Sequence, residues 1–141
     1  MNKIEIFRGT KEIFLATIYQ LESESYITSK PIYCINTEAK KELFKEKIKH
    51  CLKSSKVLSE KEEDNYWLSS TELLKSFKTK SFNTFYKKHV GFSVYLEDEN
   101  IVCKEYKHLG VNKGLELKED YVSFPYSSND SLMKVIEYVL K

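Results

Sequence analysis

Arginine is almost missing from this 141-residue chain: Arg8 stands alone against 22 lysines. Bidentate readout of guanine and firm phosphate clamps favour arginine, so the composition argues against a sequence-reading nucleic-acid binder. Glycine (4) and proline (2) are scarce too, which leaves little for long flexible linkers. Gly9, Gly91, Gly110 and Gly114 never cluster, and that excludes a Gly-rich phosphate loop. No apolar run approaches the roughly 18 residues that a membrane helix needs. The start, MNKIEIFRGTKEIF, lacks the apolar block and small-residue cleavage site of a signal peptide, so a cytoplasmic location is expected, with no membrane partner. Cys34, Cys51 and Cys103 form no Cys-x-x-Cys pair and read as reduced, mostly buried thiols. They share no ligand spacing with His50, His89 and His108, so neither a metal nor a cofactor is expected. His89 near Tyr86 and His108 near Lys107 are the nearest thing to an acid–base pair. Without a nucleophile motif beside them, the chain reads as a non-enzyme whose work is binding.

What is present fits one domain over residues 1–141, 41% hydrophobic and 31% charged, with a core rich in its 10 tyrosines and 8 phenylalanines. Net charge is +2, unevenly spread. Residues 38–88 carry a net +5 and residues 89–141 a net −3.

The stretch 91–106, GFSVYLEDENIVCKEY, organises the rest. Phe92, Val94 and Leu96 alternate with Ser93 and Tyr95. A polar tetrapeptide, Glu97 to Asn100, then separates them from a second alternating run, so the stretch reads as a hairpin. Such a hairpin needs further strands and a helical cover. Residues 3–7 are expected as an edge strand, and 12–21, apolar on both parities, as a central strand with a helix as the alternative. A third strand starts at Tyr26, Lys30-Pro31 punctuates, and Ile32–Ile35 forms a short strand. Asn36-Thr37 caps a helix from about Glu38 to Lys53, with Ala39, Leu43, Phe44, Ile48, Cys51 and Leu52 on one face. Residues 54–65, with their EKEED run, read as a polar loop. Ser69-x-x-Glu72 is a capping box before a short helix, and Phe82, Phe85 and Tyr86 mark a second. Lys118-Glu119-Asp120 reads as a turn into the strand Tyr121–Phe124. The last helix spans 130–140 behind a Ser128 cap, with Leu132, Met133, Ile136, Val139 and Leu140 buried. The expected class is α+β, a mainly antiparallel sheet of five or six strands with amphipathic helices packed on it.

Three stretches carry a resemblance. Tyr33 to Leu58 is a strand, then a helix ending in CLKSSKVL. Trp67-Leu68 leads to Glu72-Leu73-Leu74. Phe85 runs through the hairpin to Val122-Ser123-Phe124-Pro125 and the serine-rich cap. In this order the chain resembles the immunity proteins of bacterial contact-dependent growth inhibition systems, the CdiI family, in the branch that neutralises toxin nucleases. The resemblance implies a protein that binds and neutralises a cognate toxin domain, a nuclease, by occluding its active site. Its partner would be the cognate CdiA C-terminal toxin domain in a heterodimer, with no catalysis, no cofactor, no metal and no direct contact with nucleic acid. A nuclease cleft is positive, so the acidic segments are the expected toxin-binding residues: Glu62, Glu63 and Asp64 with Tyr66, then Glu97, Asp98 and Glu99, then Glu119 and Asp120. The net charge of +2 requires those acids to gather on one face. The alternative function is a small nucleic-acid-binding protein using the lysine-rich segment 40–88, where Lys78, Lys80, Lys87 and Lys88 interleave with Phe82, Phe85 and Tyr86.

Overall fold

The computed structural model describes residues 2–127 and 130–141. The expected Ser128 cap lies outside them. Seven strands are β1 (Lys3–Arg8), β2 (Glu12–Leu21), β3 (Tyr26–Asn36), β4 (Val57–Leu58), β5 (Val90–Glu97), β6 (Asn100–His108) and β7 (Leu115–Pro125). Five helices are α1 (Lys41–Ser54), α2 (Glu60–Tyr66), α3 (Ser70–Ser76), α4 (Phe82–Lys88) and α5 (Asp130–Leu140). One sheet runs β3-β2-β1-β5-β6-β7, antiparallel along this path, while β4 pairs in parallel with β2. The class is the expected α+β arrangement.

β1 corrects the expectation of an edge strand. It lies in the middle of the sheet, between β2 and β5. Its alternation explains why: Ile4 and Ile6 are fully buried on one face, and Phe7 is buried on the other. β2 is the central strand expected, since Ile13, Phe14, Thr17, Ile18 and Tyr19 favour a pleated backbone and both faces are covered. The two short strands expected on either side of Lys30-Pro31 are one strand, β3. Pro31 donates no ladder hydrogen bond, and the β2–β3 register shifts between Ala16 and Thr17, beside it.

The helix expected from Glu38 begins at Lys41, after Lys40 as a cap without a side-chain bond. Asn36 is not its cap, because its Oδ1 accepts from the Glu38 amide at 2.8 Å in a tight turn instead. Leu43, expected inside, is exposed. Phe44, Ile48, Cys51 and Leu52 of α1 meet Leu132, Val135, Ile136 and Val139 of α5 over Ile4, Ile6, Phe92 and Val94. The two edge strands, β3 and β7, thus each precede a helix that packs on the same sheet face. Arg8 closes this layer: its guanidinium donates to the carbonyls of Val139 and of Lys141 (3.0 Å), at the open C-terminal end of α5.

The opposite sheet face is covered only in part. Phe77, at the C-terminal cap of α3, and Phe85 of α4 meet Phe7 and Phe14 with ring centroids 5.1–5.7 Å apart, edge to face. Here the capping box at Ser69 and Glu72 is present as expected. The polar loop expected at 54–65 is instead β4 and α2, and α2 opens on a second capping box, Ser59 with Glu62. Lys118–Asp120, expected as a turn, lies within the continuous strand β7.

Candidate functional site

The β5–β6 hairpin closes on a two-residue turn, Asp98-Glu99, between the paired Glu97 and Asn100. Asp98 takes a left-handed backbone (φ 55), which a short polar side chain tolerates better than most. The Tyr126 amide donates to the Glu99 carbonyl at 2.8 Å, bracing the turn against the end of β7. Glu97, Asp98 and Glu99 are all exposed, so three carboxylates crowd a braced tip.

Register extends the site down the sheet. Tyr95 pairs with Val102 and with Lys3, Val102 with Ser123, and Lys104 with Tyr121. Paired residues share a face, and this is the face opposite α1 and α5. The helices α3 and α4 cover only the part of this face around Phe7 and Phe14. The result is an open groove of about 270 Å³ lined by Tyr95, Glu97, Asp98, Asn100, Val102, Lys104, Tyr121 and Ser123. Tyr121 is 59% exposed, a large ring left without cover. Lys104 Nζ stands 5.4 Å from the centre of that ring, and Lys3 Nζ stands 4.6 Å from the ring of exposed Tyr26. Deeper on this face lies Glu5. Thr28 Oγ1 donates to it at 3.3 Å and the Tyr106 hydroxyl faces it. Burial pushes its carboxyl above the ordinary range, against the pull of those hydroxyls and of Lys3. Burial likewise lowers the Lys3 ammonium.

The structure distributes the sequence-predicted acids unevenly. Glu62 is already engaged: Oε2 pairs with Lys56 at 2.7 Å and Oε1 accepts from the Ser59 amide at 3.2 Å. The Lys56 bond holds its carboxyl below the usual range. Glu63 and Asp64 follow it on α2, and Tyr66 packs on Tyr19 with centroids 4.7 Å apart. Strand β4 pairs with Gln20 and Leu21, beyond the point where β1 ends opposite Ile18. Because Lys3 also pairs with Tyr95, that register brings the start of α2 and the hairpin tip to the same end of the sheet. Glu119 and Asp120 sit elsewhere. They lie exposed on the edge strand, at the irregularity between Lys104 and Tyr106, with Asp120 about 17 Å along β7 from the Asn100–Pro125 pair at about 3.4 Å per residue.

Sequence reasoning missed Tyr121, Lys104 and Ser123, which only the β6–β7 register brings beside the tip. The alternation of Tyr121 and Ser123 around Val122 was a usable signal. Trp67, whose large apolar ring is on its own a core candidate, is 58% exposed. His89 takes a packing role: its Nδ1 bonds the Phe85 carbonyl at 2.7 Å and its ring stacks on Phe85 at 4.1 Å. Cys51 and Cys103 are buried, their thiols pushed up to about 11 and about 12, while Cys34 is exposed. Among the described residues no group of three or more His, Cys, Asp or Glu could hold a metal ion, and no helix is long and apolar enough to cross a membrane.

No family model and no curated protein sequence matches this chain. Solved structures do. A protein of unknown function from Neisseria meningitidis superposes with a TM-score of 0.70 at 12% identity, over 99% of this chain and 90% of that one. A chain of a CdiA-CT/CdiI toxin and immunity complex from Yersinia pseudotuberculosis superposes with a TM-score of 0.65 at 11% identity, over 99% of this chain and 95% of that one. At such identities the likeness is one of fold: nearly the whole of this chain is folded as a chain of a toxin–immunity complex is.

Proposed function

We propose that this protein is an immunity protein that binds a cognate toxin domain one to one and blocks it without turnover. The observation that carries the reading is the fold shared with a chain of the Yersinia pseudotuberculosis toxin and immunity complex over 99% of this sequence. The finer reading is that the toxin is a CdiA C-terminal nuclease domain, met in the cytoplasm, and that its active cleft is the surface covered. The hairpin tip supports it. Three exposed carboxylates on a braced turn are placed to stand in a cleft built to attract phosphates. Exposed Tyr121 and half-buried Tyr95 supply the aromatic anchors that such an interface needs.

Steering by an acidic tip acts on the association rate, and that rate falls as salt screens it. The functional test is protection. The partner expected is a toxin domain encoded beside this gene, and cells producing it should survive when this protein is co-produced and die when it is not. Death in both cases would remove the immunity reading.

A further inference from the structure

A group of lysines stands apart from the acidic tip. Between α3 and α4 a cleft of about 520 Å³ is lined by Leu74, Lys75, Lys78, Thr79, Lys80, Thr84 and Lys88. All four lysines are exposed, and among the described residues no carboxylate pairs with any of them. The backbone explains how they converge. The Thr79 amide bonds the Leu74 carbonyl at 3.0 Å and the Lys78 amide bonds the Lys75 carbonyl at 3.1 Å, the paired bonds that end a helix on a left-handed residue. That residue is Lys78, with φ 54, where glycine is the usual occupant. A lysine held in a conformation that glycine adopts freely turns the chain back, so that Lys80 and Lys88 line the same cleft as Lys75 and Lys78, the Lys78 ammonium also reaching the Cys34 thiol. The Thr84 hydroxyl, 2.9 Å from Ser81 Oγ, lines the same cleft.

We propose that this cleft binds a chain of phosphate groups. Four compact ammonium charges and a hydroxyl suit phosphate oxygens as point charges. The cleft has no arginine fork for reading bases, because Arg8 is held at the end of α5. Nor does it offer a stacking platform, since Phe77 and Phe85 are buried beneath it. Recognition is therefore of charge and not of sequence. An acidic peptide fits less well, because stable peptide docking adds apolar anchors and the lining offers only Leu74. The phosphate chain comes either free, as a triphosphate-bearing compound, or as a nucleic-acid backbone. This inference goes beyond the immunity reading and stands without it.

Two probes separate the sources: inorganic triphosphate, by calorimetry, and a labelled 12-nucleotide RNA, by fluorescence anisotropy, each at 20 and 200 mM salt. Binding of either supports the proposal and names the source. For RNA touching all four lysines, log affinity should fall against log salt with a slope of about −3, shallower by about 0.7 for each lysine removed. Lys78→Gly is the informative variant, because it removes the charge while relieving the backbone. It should weaken binding without lowering the melting temperature. Lys80→Gln, which leaves the helix end untouched, should weaken binding too. The proposal is overturned if neither probe binds at 20 mM salt, if both variants bind as the parent does, or if poly-glutamate binds as tightly as RNA.

Discussion

The Phe7 ring fills the space in which a side chain at Gly91 would stand. The two residues face each other across β1 and β5, and a Cβ added at 91 would lie 2.9 Å from Phe7 Cε1 and 3.1 Å from Tyr106 Cδ2. Phe7 cannot retreat, because Phe77 and Phe85 press on it edge to face. Gly91→Ala should therefore destabilise the fold by about 1–3 kcal/mol through overpacking, read as a lower denaturation midpoint at unchanged slope. A variant as stable as the parent would show that the aromatic layer gives way.

On the other sheet face, Ile48 and Ile136 are both fully buried, one on α1 and one on α5. Replacing either with alanine should cost about 2–5 kcal/mol in denaturant melts. A loss under about 0.5 kcal/mol, the scale of surface changes, would remove that residue from the core.

These elements differ in how far the sequence revealed them. The hairpin, the Ser69 capping box and the last helix were legible because each is a local pattern: alternation around a turn, a cap three residues from its acid, one apolar helical face. The second capping box, Ser59 with Glu62, has the same spacing as the first, yet α2 reads as loop because its seven residues EKEEDNY bury nothing. Strand order was not legible. The pairing of β1 with β5 joins residues almost 90 positions apart, and only the burial of Ile4, Ile6 and Phe7 on both parities hints at it. The charges of Lys118, Glu119 and Asp120 suggest a turn, but they are equally what an edge strand carries toward solvent. At the candidate site the acids of the turn were legible, since turn residues are exposed. The bare groove beneath them was not, because it depends on where α3 and α4 stop.

Glu5 links that groove to pH. Its carboxyl is raised by burial, with Lys3, Tyr86 and Tyr106 as its charged or titratable neighbours. The folded state therefore holds the proton more tightly than the unfolded chain. This contribution is fully present below the ordinary value of about 4.5 and is lost as pH rises through the raised value. Glu5→Gln has no such loss, so its stability relative to the parent should climb from pH 4 to pH 7 in urea melts. A constant difference across that range would mean that Glu5 ionises freely in the fold.

The acids of the candidate surface should separate into two kinds. Glu62 holds the first turn of α2 through Ser59 and pairs with Lys56. Glu62→Lys should speed hydrogen exchange across residues 60–66. Among the described residues Glu97 makes no such bonds, and Glu97→Lys should leave exchange unchanged throughout. Equal protection of α2 in parent and Glu62→Lys would show that the capping box does not hold the helix.

The proposed function requires a toxin domain to bind through the acidic tip and the groove below it. The most direct test measures association and dissociation rates with the toxin domain encoded beside the gene, for the parent, Glu97→Lys and Tyr121→Ala, at low and moderate salt. A one-to-one complex is expected, whose association slows in Glu97→Lys, with a smaller difference at higher salt, and whose dissociation quickens about tenfold or more in Tyr121→Ala. A complex in which neither variant changes either rate would place the interface elsewhere, and no complex at micromolar concentration would contradict the account outright.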